Sequence, residues 1–227
     1  RILQPQFIRT GQIYLLSPAA FSVTYAAVMK NGNRKVILAS KSPRRKELLE
    51  QTGIRFDILP ADIDETLSCS PFAEDTVKML SKTKARRIAE DHPYAAVIGA
   101  DTIVTIDNKI LGKPCSKAHA SDMLSMLSNR SHTVYTGYTV CCLQSGLNIT
   151  EAIATKVFFK KISPKELLFY TNTDEPYDKA GGYGIQGIGA FLVKKIHGSY
   201  TNVVGLPVCE IMEIFIKEGI VALRETE

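Results

Sequence analysis

Three segments of this 227-residue chain collect side chains able to act on a phosphorylated molecule. In the first, Lys35-Val36-Ile37-Leu38-Ala39-Ser40-Lys41-Ser42-Pro43-Arg44-Arg45-Lys46-Glu47-Leu48-Leu49, an apolar run leads into a helix start that carries three cations. A helix N-terminus is already positive, so Arg44, Arg45 and Lys46 oppose the dipole. An anion resting on the backbone N–H groups and the guanidinium forks, most simply a phosphate, offsets that cost. Three solvated cations pointing outward are the alternative.

The second segment, Val97-Ile98-Gly99-Ala100-Asp101-Thr102, brings an apolar strand to a carboxylate. Ligands of α/β sheets gather outside strand ends, so an Asp101 at such an end could hold a metal or take a proton from water. An ordinary turn aspartate capping a backbone amide is the competing reading. Asp62, Asp64 and Glu65 form an acidic knot that would suit a hard divalent ion if it lay beside Asp101, and is otherwise a solvated loop. In the third segment, Asp178-Lys179-Ala180-Gly181-Gly182-Tyr183-Gly184-Ile185-Gln186-Gly187-Ile188-Gly189, the glycines let the backbone approach a ligand closely. Gly182, Gly184 and Gly187 fit a Gly-x-Gly-x-x-Gly spacing, but no preceding strand makes it a dinucleotide fingerprint. Gln186 offers an amide donor and acceptor to a base edge, or is a plain surface glutamine. Lys84, Lys113 and Lys179 are phosphate partners or solvated lysines.

The elements that must position these groups alternate between strand and helix from Lys35 onward, the pattern of an α/β protein. Strands are expected over 36–39, 54–59, 95–98 and 102–106, with a turn at Asp107-Asn108. Pro43 at N1, Ser42 as N-cap and Gly53 beyond the end predict a helix over 43–51. The same serine-plus-proline device at Ser70-Pro71 and Ser163-Pro164 predicts two more, the first reaching residue 89, and another helix is expected over 117–127. Two long strands, 133–143 and 147–159, flank Gln144-Ser145-Gly146 as a hairpin, which makes part of the sheet antiparallel and the sheet mixed.

The net charge of +5 falls to +2 once Arg1, Arg9 and Lys30 of the first thirty residues are set aside, too mild for nucleic acid as the main partner. Five cysteines without Cys-x-x-Cys spacing suggest neither zinc nor a redox centre and suit a reducing cytoplasm. The first thirty residues hold no acid, and their apolar run is too short to span a bilayer, so no membrane partner is expected. Residues 1–34 read as a targeting leader, an upstream extension or an extra element, with Met29 a candidate start, and residues 35–227 as one domain.

Ser40-Lys41-Ser42-Pro43-Arg44-Arg45, Gly99-Ala100-Asp101-Thr102, Gly112-Lys113-Pro114 and the Asp178 to Gly187 segment, in this order, resemble the Maf family of nucleoside triphosphate pyrophosphatases. The likeness covers roughly residues 35–217. It implies a mixed, curved central sheet flanked by helices with a deep nucleotide-binding cleft, as in inosine triphosphate pyrophosphatase-like folds. It also implies hydrolysis of a nucleoside triphosphate between its α and β phosphates with a divalent cation, Mg²⁺ or Mn²⁺, by a homodimer. Carried over by position, the proton acceptor is Asp101, and the substrate-selecting residues are Arg44, Thr102 and Gln186, a combination resembling the subgroup acting on dTTP and UTP. Ser42, Arg45, Lys84, Lys113 and Lys179 match phosphate-handling positions, and Glu65 an acidic position near the metal beside Asp101. Other subgroups act on modified nucleotides such as 7-methyl-GTP, and a nucleotide-binding regulator of cell division without turnover is a further alternative. Gly182 stands where many relatives carry alanine.

Overall fold

The computed structural model describes residues 29–31, 34–64, 70 and 72–223. Strand β1 (Met29–Asn31) pairs antiparallel with the last strand, β9 (Val221–Leu223), in a small sheet of their own. The main sheet starts at β2 (Val36–Leu38), where three consecutive buried aliphatic residues sit between two parallel neighbours. A strand covered on both faces reads as a continuous apolar run, and this one does. Helix α1 (Pro43–Glu50) follows, with proline in its first turn and Leu48 and Leu49 buried. Strand β3 (Asp57–Ile58) is only two residues long, shorter than the expected 54–59, because its backbone pairs with β2 only at Ile37 and Leu38.

Helix α2 (Ala73–Asp91) begins two residues later than the Ser70-Pro71 motif suggests. Its N-cap position is Phe72, which makes no side-chain cap; instead Ser70 Oγ accepts from the Phe72 N–H at 3.2 Å and Thr76 Oγ1 accepts from the Ser70 N–H at 3.1 Å. Strand β4 (Ala96–Ile106) runs unbroken for eleven residues. The turn anticipated around Asp101 is therefore not there: Asp101 lies mid-strand, held by continuous antiparallel pairing of residues 97–105 with β6 (Ser131–Cys142). Gly99 serves packing rather than turning. A Cβ there would stand 2.1 Å from the Ser81 carbonyl oxygen, so α2 can lie against β4 only over a glycine.

Strand β5 (Lys109–Leu111) turns back on β4 through Asp107 and Asn108, both at positive φ. Helix α3 (Lys117–Leu127) buries Ala120, Met123, Leu124 and Leu127. The expected hairpin joins β6 to β7 (Leu147–Phe159) through a short 3-10 turn, with Gly146 at φ 71°. Helix α4 (Pro164–Thr171) starts at the proline, as the serine-plus-proline device predicts, and has in addition a full capping box between Ser163 and Glu166. Strand β8 (Val193–His197), helix α5 (Tyr200–Val204) and helix α6 (Val208–Lys217) complete the domain.

The sheet order is β3-β2-β4-β6-β7-β8, with β5 on β4, and it mixes parallel and antiparallel pairs. One core cluster packs β2 and the first half of β4 against α1 and α6, around Ile98, Leu49 and Phe215. A second packs the far half of β4 against α3 and α4, around Leu124, Leu127 and Tyr170. Truncating any of these fully buried side chains to alanine costs about 2–5 kcal/mol.

Candidate functional site

The edge of β4 explains where the cleft forms. On one side β6 covers the strand throughout, but on the other β2 pairs only residues 96–98 and β5 only 104–106. Residues 99–103 lie between those two partners, and there a cleft of about 940 Å³ opens, within the usual size of a small-molecule site. Ser42, Arg44, Arg45, Lys84, Asp101, Thr102, Lys113, Lys179 and Gln186 all line it, whereas Lys46 and Asp64, also candidates by sequence, do not. Glu65 lies outside the described residues, whereas Asp62 of the same acidic knot lines the cleft.

Successive strand residues point to opposite faces, which divides the work of Asp101 and Thr102. Asp101 shares the α2 face with Gly99. The close approach at Gly99 brings Lys84, next to Ala85 on α2, over Asp101, and its Nζ donates to Oδ1 at 2.6 Å. Both side chains are mostly covered, at 10% and 13% exposure, so each charge leans on the other rather than on water. On the opposite face the Thr102 hydroxyl accepts from Arg45 Nη2 at 3.1 Å and shares a hydrogen bond with Thr136. Arg45 also donates from Nη1 to Ser40 Oγ at 3.1 Å and from Nε to the Gly205 carbonyl at 2.8 Å. Three acceptors from three segments thus fix the guanidinium plane, and Thr102 both lines the cleft and steadies the arginine.

Ser42 occupies the N-cap position of α1 without capping it, and its N–H donates to Ser40 Oγ at 3.2 Å. Arg44 donates from Nη1 to Asp178 Oδ2 at 2.8 Å, bridging from α1 to the glycine-rich segment. Lys179 donates to the other Asp178 oxygen at 2.5 Å and to the Glu175 carbonyl at 2.8 Å. Partial burial pushes the Asp178 carboxyl up, but hydrogen bonds from Lys179 and Arg44 outweigh it and hold the group below its ordinary range. Lys113 is exposed, and its loop is joined to the glycine-rich segment by the bond from Gly181 N–H to the Gly112 carbonyl, 3.0 Å long. Gln186 is exposed at the cleft margin.

Sequence reasoning missed several residues that build this site. Ser40, Asp178 and Glu175 organise Arg45, Arg44 and the glycine-rich segment respectively. Behind that segment, His132 Nε2 lies 2.7 Å from the Tyr183 hydroxyl, with Phe159 edge-on to both rings. Burial lowers the His132 imidazole to about 4, so it is neutral near pH 7. These are single polar residues in strands and turns, and no local spacing marks them. Among the described residues no three His, Cys, Asp or Glu side chains converge as a protein-only metal cage. The donor set of Asp101 and Asp62 in one cleft nonetheless suits Mg²⁺, a hard ion that uses one or two carboxylates and takes further oxygens from substrate phosphates and water.

A sequence model of Maf-like proteins matches residues 35–218. A dTTP/UTP pyrophosphatase of Syntrophus aciditrophicus is 47% identical over 179 residues, 79% of this chain and 87% of that protein. Proteins of the same name from Citrifermentans bemidjiense and Clostridioides difficile are 49% and 44% identical, each over 80% of this chain and 94% of their own length. With a mixed sheet flanked by helices and a match across most of its length, the chain belongs to the Maf-like family.

Proposed function

We propose that the protein is a nucleoside triphosphate pyrophosphatase that hydrolyses dTTP and UTP to the monophosphate and pyrophosphate, clearing the nucleotide pool. The observation that carries the reading is the placement of Asp101, braced by Lys84, in the same cleft as Arg45 and Gln186. In the reaction a water oxygen attacks the α-phosphorus, the bond from that phosphorus to the bridging oxygen breaks, and its electron pair leaves with pyrophosphate. Asp101 takes the water proton at its carboxylate, and the Lys84 ammonium fixes that carboxylate in one orientation. Arg45, Lys113 and Lys179 offset charge gathering on the leaving pyrophosphate, and Ser42 with the start of α1 cradles a phosphate. A divalent cation, Mg²⁺ or Mn²⁺, held through Asp101 and the acidic knot, by Glu65 or Asp62, would offset phosphate charge and make water more acidic.

Selection of the base falls to Arg44, Thr102 and Gln186. Uracil and thymine present an N–H donor between two carbonyl acceptors, which a glutamine amide can complement. The names of the curated relatives support the pyrimidine pair over modified purines. The reading places catalysis in one domain over residues 35–227, with residues 1–34 as an extension, and the family match to 35–218 supports that division. It also takes the protein to work as a homodimer in the cytoplasm, and no helix among the described residues is long and apolar enough to cross a membrane.

Purified protein assayed with Mg²⁺ against standard and modified nucleotides tests the proposal. Pyrophosphate released fastest from dTTP and UTP is the expected result. Preference for 7-methyl-GTP would move the protein to another subgroup, and binding without release would make it a regulator.

A further inference from the structure

We propose that Glu175 is the positioning residue that sets the shape of loop 184–189 and thereby the base preference exerted through Gln186. The inference rests on the pyrophosphatase reading and deepens it. Glu175 Oε2 accepts from Ile188 N–H at 2.7 Å, and Oε1 accepts from Gly189 N–H at 2.9 Å and from the Tyr170 hydroxyl at 2.9 Å. That hydroxyl in turn accepts from Gly184 N–H at 3.1 Å. Both ends of the loop are therefore tied to one carboxylate, directly or through a phenol, and Gln186 is carried between them.

Ile188 and Gly189 open a 3-10 turn, Ile188–Leu192, whose own N-cap residue, Gly187, offers no side chain. Its first N–H groups would otherwise lack acceptors, and Glu175 supplies them from another part of the chain. Gly187 is shaped to this contact, since a Cβ there would stand 2.2 Å from Glu175 Oε2. Burial, reinforced by the neighbouring Glu175, keeps the Tyr170 phenol protonated well above its ordinary range, so it remains a donor to the carboxylate. The backbone carbonyl of Glu175 meanwhile receives Lys179 Nζ. One residue thus spaces a phosphate-side lysine and the base-side loop.

Base choice needs such a hold for a chemical reason. Cytosine reverses the donor and acceptor order of uracil, and a glutamine amide that can shift or turn over pairs with either. Discrimination arises only when the backbone keeps the amide where the wrong partner leaves polar groups unpaired.

The test uses Glu175→Gln, which keeps size but aims an amide N–H₂ at backbone donors, and Tyr170→Phe, which keeps the ring and removes the link to Gly184. The ratio of kcat/KM for dTTP to that for dCTP is expected to fall roughly tenfold in Glu175→Gln and less in Tyr170→Phe. Inhibition by inorganic tripolyphosphate, which has no base, should stay near wild type. Amide hydrogen exchange of residues 184–189 should accelerate in both variants, a readout that needs no turnover. A variant with a wild-type melting transition, an unchanged base ratio and unchanged exchange would overturn the role of Glu175. If the wild type releases no pyrophosphate, the pyrophosphatase reading fails, and the exchange measurement still decides whether Glu175 holds the loop.

Discussion

The two walls of the cleft are built differently. One stands on regular structure: Asp101 and Thr102 on β4, Lys84 on α2, and Ser42, Arg44 and Arg45 at the start of α1. The other, residues 175–189, is a series of short 3-10 turns and glycines held by a few polar anchors. On the first wall, side-chain direction follows from strand alternation and helix pitch, and packing across two core clusters fixes it. On the second, direction depends on Glu175, Tyr170 and the His132–Tyr183 contact. In the proposed reaction the rigid wall suits the proton transfer, which tolerates little misplacement, and also carries Arg44 and Thr102 of the selecting set, while the loop wall carries Gln186, whose aim can be retuned by a few substitutions.

The sharpest break in this comparison is Asp101→Asn. The amide oxygen can still accept from Lys84, but the covered ammonium loses its counter-charge, so some stability goes with the base. Pyrophosphate release from dTTP is expected to fall on the order of 10³-fold at temperatures where the variant is still fully folded, which a melting curve checks. Turnover near the wild-type rate would remove Asp101 from the reaction.

Next in size is an acid weakness of the loop wall. His132 is buried against Tyr183 and Phe159, and burial lowers its pKa to about 4. Above about pH 7.5 the imidazole is neutral in both folded and unfolded chains, so it adds no pH dependence there. As pH falls from about 6.5 toward 4, the unfolded chain takes up a proton that the folded chain refuses, and stability drops by about 3 kcal/mol at the limit. Urea denaturation at a series of pH values should show this slope in the wild type and a flatter one in His132→Phe. Parallel slopes in the two proteins would mean that other groups carry the acid response.

Adjacent arginines then separate the roles within α1. Arg45 makes three hydrogen bonds to Ser40, Thr102 and Gly205, so Arg45→Ala should cost on the order of 10²-fold in kcat/KM and also about 1–3 kcal/mol of stability. Arg44 is tied to a half-exposed Asp178 carboxylate, and exposed pairs contribute about 0–1 kcal/mol. Arg44→Ala should therefore raise KM for dTTP roughly tenfold and leave the melting curve almost unchanged. Equal kinetic and thermal effects in both variants would erase the distinction.

The same contrast explains what could be read in advance. Pro43 with Ser42, Pro164 with Ser163 and the β6–β7 hairpin are local signals, and each element formed where its residues indicated. Asp101 was legible as a carboxylate of the cleft but not as a mid-strand residue, because Gly99 and Ala100 look like a turn until α2 packs on them. Ser70-Pro71 misled for a related reason: Ser70 Oγ accepts from Phe72 N–H, and Thr76 from inside the helix accepts from Ser70 N–H, before α2 begins. Glu175, Tyr170 and His132 left no trace, since their partners lie in other segments and hydrogen bonds to backbone N–H groups impose no residue pattern. Charges beside glycine or proline were readable, while the polar groups that hold a loop from behind were not.

Lys46 gives the smallest effect and the cleanest control. It shares the first turn of α1 with Arg44 and Arg45, and by charge alone it should serve the same anion. One helical step turns it away: it is exposed, it does not line the cleft, and its Nζ lies 3.6 Å from Glu50 one turn on. A surface pair of this kind contributes about 0.3–0.5 kcal/mol. Lys46→Ala should shift both stability and kcat/KM by less than about twofold-equivalent, or about 0.5 kcal/mol. If it instead weakened dTTP turnover as much as Arg44→Ala, the general positive field at the helix start, rather than the aim of particular side chains into the cleft, would be what draws the nucleotide in.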